Sequence, residues 1–443
     1  MGIALISLIK LIIKDARIDR ILLAFLSLSL LGLESVSTLV VFLSVFGVTY
    51  GGLRWAPSSF SRLFVCGLSF LQLLPLLFYK YAPFAVSQVT GDLPDVLSDL
   101  AIPVGLSFYT FQMVGLVVDT LKGRQPLPSF LNCLNFASFF PQIVAGPIER
   151  RSDLLPQMES FRFRLNWVDV ELGVRWVVLG LFMKLTLGDN LAAESGHVVF
   201  DAKNPFLVWL ECVFFSLRVY YDFCGYSLVA YGLARMLGIR LMLNFRNPYW
   251  TTNFRDFWRN WHISLSQWFR DYLYIPLGGN RGRFRVFLLF LVFGVSGVWH
   301  GAGWNFIFWG LLHGAFLLLP KWTSLKVPKP LAWGIHMILV TFSWLFFLEQ
   351  DVALLLQKLG SLFDVTSYHM GHLKGVVTAF PSKSALLASL VIFALSALSL
   401  ILEGCRLQVP YDLLTRRVSC LVMIVMIFLF QPNGSHEFIY FNF

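Results

Sequence analysis

Apolar stretches separated by brief polar punctuation run along almost the entire chain, and their length decides the class. Segments 63–85, 102–121, 171–188, 205–237, 331–348 and 384–402 are each about as long as a helix needs to cross a hydrocarbon layer of roughly 30 Å. Segments 3–13 and 21–33 are apolar but short, 35–53 follows, and Glu34 interrupts them, which suits two or three N-terminal helices. Segment 129–147 is broken in its second half by Pro141, Gly146 and Pro147 and has basic flanks on both sides. A re-entrant segment fits it better than a span. The pattern predicts an all-α, polytopic membrane protein with about eleven spanning or partly spanning helices.

The charged residues between these segments orient them. Arg54 and Arg62 mark a cytoplasmic loop, whereas Asp92, Asp95 and Asp99 mark an external one. Lys122 and Arg124 return inside, Asp189, Glu194 and Asp201 lie outside, and Arg235, Arg240 and Arg246 lie inside again. A cytoplasmic stretch, 240–285, precedes an apolar hairpin at 286–320, and 331–348 leads to an external loop at 349–383. Segment 384–402 returns to Arg406, Arg416 and Arg417, and 418–430 leads to an external tail ending FIYFNF.

Composition changes this picture only by exclusion. Of 443 residues, 57% are hydrophobic and 14% charged, with a mean hydropathy of +0.69, which no soluble domain shows. The net charge of +10 reads as the positive-inside bias, not as nucleic-acid binding. The six cysteines have no CxxC or metal-ligand spacing, so they read as small core residues and no metal site is expected. The first 30 residues have no clear cleavage site, so no cleaved signal peptide is expected. No internal repeat supports an inverted-repeat transporter, and GxSxG, HExxH and Walker patterns are missing from the sequence.

The candidate chemistry is concentrated in 244–314. Phe254, Phe257, Trp258, Trp261, Leu265, Trp268 and Phe269 recur at helical steps, and Arg255, Arg259, His262, Ser266 and Arg270 recur on another face. This predicts one helix capped by Thr252 or Asn253, with His262 in a cationic stripe and not among the aromatics. Such a stripe suits an interfacial helix on anionic lipid. It equally suits a wall for a phosphate-bearing donor, to which Arg281 and Arg283 of the following loop would add. His300, 38 residues after His262, ends an apolar run that begins at Val286 and rises only about 21 Å at 1.5 Å per residue. Gly301-Ala302-Gly303 then turns the chain at a depth where irregular backbone needs protein or water around it and an ionisable group suggests function.

Other polar residues lie in apolar segments. Tyr109 and Gln112 share a helix face with Gly105 and Leu116, which suits a cavity lining or a helix–helix hydrogen bond. Asp222 is near the middle of 205–237 and requires a partner, either Arg218 one turn earlier or a histidine. Asn305 and His313 follow the glycine turn, and packing is the better account of His313. These parts suit acyl transfer. A histidine can take the proton of a hydroxyl as it attacks a thioester carbonyl, donors hold the oxyanion, and arginines hold the phosphates of the thioester carrier.

Six stretches together resemble the membrane-bound O-acyltransferase (MBOAT) superfamily, in its alginate O-acetyltransferase membrane-subunit (AlgI-like) branch. They are PVGLSFYTFQ (103–112), SFFPQIVAGPIER (138–150), YYDFCGYSLVAYGLARMLG (220–238), 244–282, GVWHGAGWNFIFWGLLHG (297–314) and the terminal FIYFNF. Cys224 departs from the small hydroxyl residue usual in the branch. The resemblance implies the MBOAT fold, with tilted helices around a central funnel and one membrane-embedded domain, 1–443. Within it, 1–60 would hold variable N-terminal helices, 61–350 a core with His262 and His300, and 351–443 the external loop and last helices. It implies His300 as the essential histidine and His262 as the second family position. It also implies an acetyl thioester donor (acetyl-CoA or an acyl carrier), no bound cofactor, and a polysaccharide acceptor reached through a periplasmic acetyltransferase partner. The implied location is the bacterial inner membrane. Lipid or protein O-acylation and D-alanyl transfer from a carrier protein are alternatives within the class. A proton-coupled transporter, or a scaffold docking a secreted enzyme through 349–383, are alternatives outside it.

Overall fold

A computed structural model describes residues 15–431 except 58, 60, 92–93, 95–96, 98–99, 282, 320–326 and 406–408. Segment 3–13, the acidic residues Asp92, Asp95 and Asp99, Arg406 and the terminal FIYFNF lie outside the described residues. Among the described residues every regular element is helical. Four helices are long and apolar enough to cross a membrane: Val36–Arg54, Arg62–Thr90, Lys329–Leu348 and Lys383–Gly404. The helix Pro205–Met236 is longer but carries Glu211, Arg218, Asp222 and Arg235, so its polar groups must be satisfied inside the protein.

The chain forms two compact units, residues 1–174 with 230–243, and residues 175–229 with 244–443. The first contains α1 (Ala16–Glu34), α2 (Val36–Arg54), α3 (Arg62–Leu76), α4 (Ala82–Thr90), α5 (Leu106–Lys122), α6 (Phe130–Ser138) and α7 (Arg151–Glu159). Ser35 breaks α1 from α2 because its side chain caps the amide of Thr38. A π turn, 77–81, joins α3 to α4 into the continuous stretch Arg62–Thr90, which covers the span expected at 63–85. The segment read as re-entrant is a short helix, α6, followed by irregular chain through 149. That irregular backbone is almost wholly buried, as it must be away from water. Gly105 makes the turn into α5 at φ 75°, and a side-chain carbon there would come within 2.5 Å of the Ile143 carbonyl.

The second unit begins within α8 (Trp167–Leu181), continues through a π turn at 182–188 into α9 (Asp189–His197), and takes in most of α10 (Pro205–Met236). After Asn244 come α11 (Phe254–Asn260), α12 (Ile263–Phe269), α13 (Arg285–His300), α14 (Trp304–Phe316) and α15 (Lys329–Leu348). The expected external loop at 349–383 contains two helices, α16 (Val352–Phe363) and α17 (Met370–Thr378). Its acidic residues had suggested open loop; Asp351 instead caps α16, accepting from the amides of Ala353 and Leu354. Helices α18 (Lys383–Gly404) and α19 (Arg417–Leu429) complete the unit.

Candidate active site

The single helix expected across His262 is broken at that residue. α11 ends at Asn260, Trp261 is extended, and His262 takes the left-handed conformation (φ 41°, ψ 56°) before α12 begins. An L residue in that region costs about 1–2 kcal/mol, so something must hold it there. An irregular segment beginning at Asn244 does so. The Arg246 amide donates to the Asn260 carbonyl (3.0 Å) and the Ile263 amide to the Asn244 carbonyl (2.9 Å). The Ser264 hydroxyl donates to Asn244 Oδ1 (2.7 Å), with the Ser264 amide at 3.3 Å from the same oxygen. These bonds bracket His262 and fix it on both sides.

The break corrects the placement of His262. It is 1% exposed and lies among aromatics, whereas Arg255, Arg259, Arg270 and Arg281 are exposed. Arg259 pairs with Asp256 (3.1 Å) and Arg270 with Asp271 (2.7 Å), so part of the stripe's charge is met locally. A helical periodicity put His262 in line with the arginines; one left-handed residue rotates it away from them. Burial then pushes its imidazole down to about 3, which keeps the ring neutral at physiological pH.

His300 reaches the same neighbourhood by another route. It is the last residue of α13, 2% exposed, and α13 and α14 form a tight hairpin. A side-chain carbon at Gly297 would come within 2.1 Å of the Phe306 carbonyl, and one at Gly310 within 2.2 Å of the Phe293 carbonyl. Only glycine permits that approach, as between closely packed membrane helices generally. The His300 ring is 5.0 Å from Trp309 and 5.3 Å from Phe347 between centroids, and 6.5 Å from the His262 ring. His262 also meets Phe223 at 4.6 Å and Trp299 at 5.9 Å. Two buried imidazoles thus face one another within an aromatic enclosure, where charge-stabilising groups act more strongly than in water.

The remaining candidates have identifiable partners. The Ser343 hydroxyl gives its hydrogen to the Val340 carbonyl (2.7 Å), so at 3.0 Å from His313 it must accept from Nε2. His313 is therefore held in a structural bond behind Trp309, 4.8 Å between rings. Asn305 Nδ2 donates to the Phe346 carbonyl (3.1 Å) and ties α14 to α15. Asp222 pairs with Lys184 (2.6 Å), which also meets Asp189 at 2.5 Å. Arg218, one of the two partners expected for it, also feels the Asp222 charge, so Lys184 is an addition to the expected partner. Lys184 is a lone lysine in the apolar run 171–188, and the π turn there aims it at α10. In the first unit, Gln112 Nε2 donates to the Phe136 carbonyl (2.8 Å) and its Oε1 accepts from Gln142 (3.0 Å), a helix-packing role. Tyr109 is buried edge-on against Phe42.

With this geometry in hand, comparison with known proteins is decisive. The profile of the membrane-bound O-acyltransferase family matches residues 106–357. The chain belongs to that family. It is an integral membrane protein, and O-acyl transfer at a membrane is the chemistry of the class. It is 36% identical over 334 residues to a probable alginate O-acetylase AlgI of Pseudomonas aeruginosa, covering 71% of this chain and 63% of that protein. It is 30% identical over 442 residues to a peptidoglycan O-acetyltransferase of Helicobacter pylori, covering 87% and 84%. A teichoic acid D-alanyltransferase of Bacillus subtilis is 28% identical over 295 residues, covering 62% and 73%. The chain thus spans less than two thirds of the Pseudomonas aeruginosa relative it matches.

Asn244, Ser264 and Lys184 escaped the sequence reading as site residues. Asn244 opens the NFRNPYW stretch, but nothing in its spacing shows that it will bracket a residue 18 positions away.

Proposed function

We propose that this protein transfers an acetyl group from a thioester donor, acetyl-CoA or an acyl carrier, toward hydroxyls of an extracytoplasmic polysaccharide. It would do so in the bacterial inner membrane and pass the group through a periplasmic acetyltransferase partner. The observation that carries this reading is the pair of buried imidazoles 6.5 Å apart in an aromatic enclosure. His300 acts as general base, taking the proton of the attacking hydroxyl as the thioester carbonyl becomes tetrahedral; the C–O bond forms, the C–S bond breaks, and the proton passes to the departing thiolate. His262, neutral in its cage, assists or contacts the donor. The exposed arginines, Arg255, Arg259, Arg270 and Arg281, meet the donor's phosphates. The alginate, peptidoglycan and teichoic acid acceptors named for the relatives support a cell-surface polymer as the destination.

The test is transfer of label from acetyl-CoA in oriented vesicles by wild type, His262→Ala and His300→Ala at equal protein level. General-base catalysis is worth about 10²–10⁴-fold, and His300→Ala should lose that much. Transfer by His300→Ala at the wild-type rate would overturn the assignment. D-alanyl transfer gains if only an acyl carrier protein supplies label.

A further inference from the structure

Helix α16 has its polarity reversed with respect to a helix that faces water. Its one lysine, Lys358, is 4% exposed and points inward, where its amine meets Glu211 at 2.7 Å and Glu349 at 2.9 Å. Leu355 and Leu362 on the same side pack with Val208, Cys212 and Leu345. The outward side carries Val352, Leu356 and Phe363, the last two 63% and 74% exposed. Exposed apolar residues continue past the helix at Val365, Met370 and Val377. In water the long apolar side chains would turn in and the lysine out.

We propose that α16, with the turn and α17 that follow, lies along the bilayer surface with its outward apolar side in the lipid acyl chains. Three observations choose lipid as the occupant. The charge is turned inward and paired with carboxylates, the arrangement an ionisable group requires beside hydrocarbon. The preceding helix, α15, is long and apolar enough to span and exposes Leu331, Trp333 and Ile338 in its first half, so the helix that leads into α16 already has a lipid-facing surface. Finally, twelve residues rise about 18 Å, well short of the roughly 30 Å needed to cross, so the helix lies in or near the membrane plane. Asp351 and Asp364, at its two ends, are exposed and bonded to nearby backbone amides, which suits the headgroup level. The stretch that charge counting places in an external aqueous loop thus becomes a membrane-surface element.

The test uses the full chain with its exposed Cys66 and Cys405 replaced by Ser. Nitroxide labels are introduced singly at Leu356, Phe363 and Thr366, and the protein is held in nanodiscs of phosphatidylethanolamine and phosphatidylglycerol. Oxygen should relax the labels at 356 and 363 more than a water-soluble nickel chelate does, a ratio above one. The label at Thr366 should give the reverse. Nickel dominance at 356 and 363 would mean an aqueous loop and overturn the proposal. Low collision rates with both reagents would mean a protein cover, such as a second copy, and would overturn it too. The readout needs no acyl transfer, so it stands or falls apart from the catalytic assignment.

Discussion

The two histidines reach one enclosure by opposite means. His300 ends a regular helix, and its position follows from how closely α13 and α14 approach through Gly297 and Gly310. His262 stands where a helix fails, in a left-handed conformation bracketed by hydrogen bonds that Asn244 accepts and one that Arg246 donates. The first device is packing between backbones, which tolerates no added volume. The second is a local side-chain bracket, which can lose one bond and keep the rest. Damage to the hairpin should therefore be global, and damage to the bracket confined to the site.

The largest effect should come from Gly310→Leu. Its side chain would meet the Phe293 carbonyl, and overpacking of this kind costs about 3 kcal/mol. Folded yield in detergent, read by thermal unfolding, should collapse; a wild-type melting profile would show that the hairpin has room to spare.

Asn244→Ala sharpens the contrast from the other side. It leaves Ser264 without its buried acceptor, at a cost of about 1–3 kcal/mol. The expected result is a folded protein with reduced acetyl transfer, and Asn244→Asp, which keeps an acceptor oxygen, should recover part of it. Equal activity for Asn244→Ala and wild type would separate the bracket from the chemistry.

A smaller effect carries a more telling sign. In a continuous helix His262→Gly would be less stable than His262→Ala by about 1 kcal/mol. At φ 41° the order should invert, because glycine alone adopts the left-handed region freely. Chemical denaturation of the two variants decides between a broken and an unbroken helix.

The last effect is a pH slope. The usual histidine pKa of 6.5 falls to about 3 for buried His262, so the unfolded chain binds a proton between those values that the folded chain does not. This contribution to stability is complete above pH 6.5 and declines as the pH falls toward 3. His262→Gln should remove the share of the slope that one proton contributes; an unchanged slope would place the titration elsewhere.

Much of this was legible in the chain. Apolar length identified a helical membrane protein, and the short run ending at His300 located the hairpin, because a helix's rise per residue is fixed and hydrocarbon thickness is nearly so. The packing role favoured for His313 agrees with its bond to Ser343. The side on which His262 lies was not legible. Periodicity assumes an unbroken helix, and one left-handed residue, imposed by a segment that starts 18 positions earlier, rotates the ring from the arginines to the aromatics. The pairing of Asp222 with Lys184 was hidden for a similar reason. Local spacing offered Arg218, which does feel the Asp222 charge, but the direct ion pair with Lys184 comes from a π turn in another segment. The sequence by itself determined what each segment is made of and how far it can reach. Only the tertiary structure decided which buried groups meet, because those contacts join residues far apart in the chain and depend on backbone breaks that no periodicity encodes.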